Sequence, residues 1–91
     1  MKTMSQIVQE LVPSYLAARR QEVPQMMELL AASDFERLRV LSHSLKGSGG
    51  SFGFPQLSGF GAALERHARE SDSTSFSEEL NRLKSYLDRL G

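Results

Sequence analysis

The sequence predicts an all-α fold, an antiparallel up-down-up-down four-helix bundle with a short extra N-terminal helix. Apolar residues recur at steps of three and four through four segments, which is the spacing of one helix face. Short junctions separate the segments, so consecutive helices are expected to run antiparallel. A chain of 91 residues forms one small domain with one core. We therefore predict a single domain over 1–91, with an N-terminal helix or cap in 1–12 and the bundle in 13–90.

The first helix carries a stripe interrupted by proline. Its apolar residues are Val12, Leu16, Val23, Met27 and Leu30. A proline in a helix interior removes a hydrogen bond and clashes with the preceding turn, so Pro24 predicts a kink or break near Glu22, and we expect a kink. The apolar residues of 1–12 precede Pro13 and are expected to form the extra helix. We favour a lid on one end of the bundle over a free-standing partner-binding surface.

The other three helices have more regular stripes. The second stripe is Leu38, Leu41, Leu45 and Phe52; the third is Leu57, Phe60, Gly61, Leu64 and Ala68; the fourth is Phe76, Leu80, Leu83, Leu87 and Leu90. Ser33 with Glu36, and Ser75 with Glu78, have the spacing of a capping box and predict the starts of the second and fourth helices. Pro55 suits the first turn of the third helix.

Composition excludes several classes of function. Eleven basic residues balance eleven acidic ones, so no overall positive field favours nucleic acid. The chain has no cysteine, which excludes disulfides and thiolate metal sites, and its apolar runs are too short to span a membrane. Without a leading apolar segment, the expected compartment is the cytoplasm. We expect a monomer that recognises its partner through local rather than overall charge.

His43 is the most informative residue. It lies in 41–53, LSHSLKGSGGSFG, where helical geometry puts the leucines on the buried side and His43 on the opposite side. Gly47 lies one turn later on nearly the same line, so no side chain there shades the imidazole. Lys46 lies close enough to bring an ammonium group near whatever the ring carries. An exposed imidazole, an open approach and a nearby cation are typical of a nucleophile that accepts a phosphoryl group.

The segment 43–48, HSLKGS, with the glycines and phenylalanines after it and the helical stretch 57–65, resembles the histidine-containing phosphotransfer (HPt) domain. The resemblance extends from about Pro13 to Leu90. It implies a helical bundle that carries a phosphoryl group on His43 to or from receiver-domain aspartates of a response regulator or hybrid histidine kinase, in a multistep two-component phosphorelay. It implies no kinase activity of its own and no cofactor in this chain, with Mg²⁺ expected on the partner receiver.

Glu65 is predicted to act together with His43. It lies at the flank of the third apolar stripe, from which a carboxylate could reach a histidine on the neighbouring helix. Similar HPt domains place a polar group at the matching position, where it accepts a hydrogen bond from Nδ1. Such a bond orients the ring and leaves the Nε2 lone pair free. The alternative is a surface ion pair with Arg69, four residues on.

The partner is expected to dock around His43 on a surface of small residues with charges at its edge. The predicted docking residues are Glu36, Arg39, Val40, Gly47 and Gly50 on the second helix, with Ser58, Ala62 and Glu65 on the third. His67, which has no glycine beside it, is interpreted as a surface residue. Ser48 is expected to turn toward the core and bond the backbone one turn back.

Other chemistry fits less well. The glycines of 47–53 lack the lysine and the preceding strand of a phosphate-binding loop, and two histidines with one carboxylate make a poor metal site. A bundle of this size rarely offers the pocket of a hydrolase. The main alternative is a non-catalytic helical interaction module that binds or sequesters a signalling partner.

Overall fold

The fold is a bundle of four α-helices, seen in a computed structural model that describes residues 1–91. The helices are α1 (Met4–Ala31), α2 (Phe35–Gly49), α3 (Pro55–Arg69) and α4 (Ser73–Arg89), with a short 3₁₀ turn, Gly50–Phe52, after α2. Helix α1 packs on α2 and α4, and α3 also packs on α2 and α4, while the backbones of the two diagonal pairs lie farther apart. This cyclic order confirms the predicted four-helix bundle. No helix has the length and hydropathy of a membrane-spanning segment.

The predicted extra helix is wrong, because α1 runs without interruption from Met4 through both Pro13 and Pro24 to Ala31. Thr3 caps its start in a capping box with Gln6. The lid is also wrong: Ile7 and Leu11 remain 40% and 50% exposed on an overhang of α1. Each proline removes only its own backbone bond at a solvent-facing position, and the neighbouring turns keep theirs.

The stripe of α1 is shifted from the prediction. Tyr15, Val23 and Met26 are the buried residues, whereas Met27 is 40% exposed. The Tyr15 ring stacks on Phe52 of the 3₁₀ turn, with ring centroids 4.0 Å apart. Its hydroxyl bonds the Ser48 hydroxyl at 2.7 Å, so the prediction of a backbone bond for Ser48 is wrong. An aromatic ring thus ties α1 to the end of α2.

The stripes of the other helices form the core as predicted. The most deeply buried of their apolar residues are Leu38, Leu45, Leu57, Leu64, Phe76, Leu80, Leu83 and Leu87. Leu41, Phe52 and Phe60 pack against this core while remaining half-buried, and Leu90 at the end of α4 is 38% exposed.

Two junctions share one design that the capping-box prediction missed. After α1, Ser33 has a positive φ of 55°, and after α3, Ser71 has a φ of 53°. Each serine reverses the chain in a Schellman-type turn and is followed by an aspartate that caps the next helix. Asp34, not Ser33, caps α2, and Asp72 caps α4 by accepting the N–H of Ser75. Pro55 opens α3 as predicted.

Helices α2 and α3 approach each other closely at two glycines. A Cβ on Gly61 would lie against the Lys46 backbone, 2.6 Å from its Cα, and 2.8 Å from the Ser42 carbonyl oxygen. A Cβ on Gly49 would lie 2.9 Å from both the Leu57 Cβ and the Ser58 hydroxyl oxygen. Only hydrogen fits at these positions, so the spacing between the two helices depends on glycine.

We predict that Gly61→Ala destabilises the protein by about 2 kcal/mol or more, because the methyl group forces two backbones apart. Gly59→Ala on the same helix is the matched control, since nothing lies within 4 Å of its added Cβ. There the gain in helix propensity should stabilise by roughly 0.5–1 kcal/mol. Urea unfolding of both variants measures the difference, and equal stabilities would contradict the close approach.

Candidate functional site

His43 points outward from the middle of α2. Its neighbour Ser42 is fully buried and donates its hydroxyl to the Leu38 carbonyl, so the next residue along the helix turns toward solvent. The His43 side chain is 68% exposed. Its Nδ1 lies 2.7 Å from Oε2 of Glu65 on α3, while Nε2 has no partner in the protein.

Glu65 is a nearly buried carboxylate, with only 3% of its side chain exposed. Besides His43, it contacts Lys46 Nζ at 3.4 Å through Oε1 and Arg69 Nη2 at 3.4 Å through Oε2. The structure therefore contains both of the contacts that the sequence posed as alternatives, because Oε2 of Glu65 accepts from both His43 Nδ1 and Arg69 Nη2. We call His43 and Glu65 the dyad.

Charge keeps Glu65 ionised despite its burial. Burial alone would raise the pKa of the Glu65 carboxyl, but hydrogen bonds from His43 and Lys46 and the positive charges of Arg69 and Lys46 outweigh it and lower that pKa. An ionised carboxylate only accepts hydrogen bonds, so the His43 nitrogen that faces it must carry the proton. In a neutral imidazole, Nε2 then holds the free lone pair and faces solvent.

The close approach at Gly61 makes the dyad possible. Gly61 lies one turn before Glu65 and packs against the Lys46 backbone of α2. The two helices are therefore close enough for the Glu65 carboxylate to reach His43. Gly61 appeared in the sequence only as a core position. Its place within an apolar helix stripe could have marked Gly61, because glycine lowers the stability of a helix and is expected there only where the packing requires it.

The residues predicted around the ring occupy open positions. Nothing lies within 4 Å of a Cβ built on Gly47, so the approach to His43 over the next turn is clear. Lys46 is half-exposed and held toward the dyad by Glu65. The exposed docking candidates are Glu36, Val40, Gly47, Gly50 and Ala62, while Arg39 and Ser58 are partly buried. Gly50 lies in the 3₁₀ turn rather than on α2, and Glu65 is buried and so is not part of the surface. Arg39 pairs with Glu36, and the Ser58 hydroxyl accepts the Gly50 N–H.

His67 is not a surface residue, contrary to the prediction. Its side chain is only 12% exposed and packs toward α4, where Nε2 lies 3.7 Å from Oε1 of Glu79. Its Nδ1 is buried with no hydrogen-bond partner. It falls on the opposite side of α3 from Glu65 and takes no part in the dyad. No group of three potential metal ligands occurs anywhere in the chain.

The sequence matches the family model of the Hpt domain over residues 7–91. The chain belongs to the Hpt domain family. Searches of curated proteins and of solved structures give no match. Hpt domains serve histidine phosphotransfer in two-component signalling, as phosphoryl carriers rather than kinases, and they interact with receiver domains of response regulators. This family membership confirms the resemblance that the motif around His43 indicated.

The lowered pKa of Glu65 predicts an acid-dependent loss of stability. The unfolded chain takes up the Glu65 proton at a higher pH than the folded protein does. The stabilisation by the ionised group is therefore complete above its ordinary pKa of 4.5 and is lost as pH falls through the folded value. Glu65→Gln should be less stable than wild type near pH ~6, and the difference should shrink toward pH ~3.

Urea unfolding at several pH values measures this difference. Glu78→Gln is the matched control, because the Glu78 side chain is 62% exposed and lies only loosely against Arg82. Its stability should follow that of wild type across the whole range. A Glu65→Gln difference that stays constant with pH would contradict an ionised, paired Glu65.

Proposed function

We propose that this Hpt domain is the histidine phosphotransfer protein of a multistep phosphorelay and that His43 is its phosphoacceptor. The observation that carries the proposal is the dyad: an exposed imidazole whose Nδ1 is held by a buried carboxylate at 2.7 Å, with Nε2 directed to solvent. A nucleophile that must meet a second protein needs to be both exposed and oriented, and this arrangement supplies both.

In the proposed reaction, Nε2 of His43 attacks the phosphorus of an aspartyl phosphate on a receiver domain. The Nε2–P bond forms with the imidazole lone pair, and the P–O bond to the aspartate breaks, so the aspartate leaves as a carboxylate. The Nδ1 proton stays on the ring and remains bonded to Glu65, which offsets the positive charge that develops there. Transfer to a second receiver aspartate reverses these steps.

The neighbouring residues assist by charge and by access. The Lys46 ammonium lies within reach of a phosphoryl group on the ring and can shift toward it from Glu65, offsetting its negative charge. The absent side chain at Gly47 admits the partner's aspartate in line with Nε2. We assign Mg²⁺ to the acidic pocket of the partner receiver, where oxygen ligands would hold it next to the phosphoryl group.

The first test is labelling of the protein by a panel of phosphorylated receiver domains. A single acid-labile phosphoryl group should appear on the wild type and be absent from His43→Gln. His67→Gln is the matched control and should take the label, because His67 is buried against α4. If neither the receivers nor a small phosphodonor such as phosphoramidate labels the wild type, the protein acts as the non-catalytic interaction module. Label that persists in His43→Gln would sink the assignment of His43.

The second test asks whether Gly47 and Lys46 act in phosphotransfer, through access to His43 and through charge, or only support the helix. Gly47→Gln should slow transfer markedly, because its side chain covers the approach to His43, without lowering thermal stability. Lys46→Ala should slow transfer or shorten the lifetime of the phosphorylated form by about fivefold, since a partly exposed ion pair contributes on the order of 1 kcal/mol. Gly59→Gln, another open helical glycine, is the control and should transfer at the wild-type rate. Wild-type kinetics in all three variants would leave Lys46 and Gly47 without a role.

A further inference from the structure

A notch of about 460 Å³ opens between the start of α2 and the end of α3, about one helical turn from the dyad. It is lined by Phe35, Glu36, Arg39, Ala68, Arg69 and Ser71. Arg39 precedes His43 by four residues and Arg69 follows Glu65 by four, so each guanidinium group lies one helical turn from the dyad. The proposed phosphotransfer step uses neither arginine.

Both arginines have N–H donors that are free to bind another group. Arg39 Nη2 lies 2.7 Å from Oε1 of Glu36, a carboxylate whose side chain is 76% exposed. An exposed ion pair within one helix is weak and is easily exchanged for another partner. Arg69 is 61% exposed and makes a single long contact to Glu65, which His43 and Lys46 also hold. Each guanidinium carries five N–H donors, most of which are unused here.

The walls and the floor of the notch suit an acidic side chain. Arg39 and Arg69 line the same notch, and a guanidinium group can form paired N–H···O bonds to a carboxylate. The floor includes the partly buried Phe35 and the buried Ala68, which would cover the methylene groups of such a side chain. A phosphate group would match the arginines but would make less use of this apolar floor.

The expected partner supplies that chemistry. The proposed function requires a receiver aspartate that holds a phosphoryl group together with Mg²⁺, and such a site needs further carboxylates around it. A receiver docked with this aspartate at Nε2 of His43 brings its acidic pocket close to the notch; the carboxylates that bind Mg²⁺ stay on the metal, and the arginines would meet a further acidic side chain at the rim of that pocket. Opposite charges at the edge of an interface fix its orientation and speed the encounter.

We propose that Arg39 and Arg69 form a carboxylate clamp that takes an aspartate or glutamate side chain of the receiver docked over His43. The clamp rests on the proposed function, and it fixes the rotation of the partner about the Nε2–phosphorus line. On docking, Arg39 exchanges Glu36 for the partner's carboxylate, and Arg69 turns from Glu65 into the notch.

The test compares two double variants with the same change in net charge. Arg39→Ala/Arg69→Ala removes the clamp. Arg37→Ala/Arg66→Ala removes two charges from the same two helices outside the notch: Arg37 is 77% exposed beside Asp34, and Arg66 is exposed. Binding of the receiver that labels His43 fastest is measured for each protein at several salt concentrations, after circular dichroism has verified the fold.

The clamp variant should bind the receiver about tenfold or more weakly, mainly through slower association, and its affinity should depend less on salt than that of wild type. The control variant should stay within about threefold of wild type. Arg39→Lys/Arg69→Lys should recover part of the loss, because lysine keeps the charge but not the paired bonds. Equal weakening by both double alanine variants, no weakening by either, or selective weakening with an unchanged salt dependence would each overturn the clamp.

Failure of the clamp can be told apart from failure of the proposed function. Phosphoramidate, a small donor whose N–P bond breaks to release ammonia, can label the wild-type His43 without any receiver. Absence of label from both phosphoramidate and the receivers would remove the proposed function itself. Normal labelling of the wild type, with receiver binding that is insensitive to Arg39 and Arg69, would remove only the clamp.

Discussion

The close approach of α2 and α3 is the constraint on which the candidate site depends. Gly61 lets the α3 backbone lie against the α2 backbone at Lys46 and Ser42. Gly49, at the end of α2, allows the same close approach to Leu57 and Ser58 near the start of α3. A helix that stood farther off would leave the Glu65 carboxylate short of His43. The two glycines reduce helix propensity, and the packing of Leu38, Leu45, Leu57 and Leu64 between the helices offsets that cost.

Burying Glu65 is the second requirement, and its neighbours make it tolerable. An unpaired carboxylate at this depth would be strongly destabilising, but Lys46, Arg69 and the His43 ring surround its two oxygens. The surroundings are asymmetric: the carboxylate is nearly hidden while its three partners are largely exposed. The protein thus keeps a fixed acceptor inside and presents movable donors outside, where a phosphoryl group or a partner protein can compete for them.

Local sequence rules failed where two of them competed for one residue. Ser33 fits a capping box, yet the turn after α1 needs a residue with positive φ there, so the cap passes to Asp34. In the same way, Asp72 rather than the predicted Ser75 caps α4, because Ser71 before it forms the turn. A helix boundary was expected before Pro13 and a kink near Pro24, yet the helix continues through both. Each proline removes only one hydrogen bond from a helix of 28 residues, a loss that the neighbouring turns and the buried Val23 and Met26 outweigh.

The sequence by itself determined the helical class, three of the four core stripes and the outward direction of His43, because these follow from periodicity along one helix. The motif around His43 also determined the family. The tertiary structure decided what depends on the distance between helices: the contact of Glu65 with His43, Lys46 and Arg69 together, the bond from Tyr15 to Ser48, and the burial of His67. A helical pattern gives the direction of a side chain but not the distance to the neighbouring helix. Here the distance between α2 and α3 is short because Gly61 has no side chain.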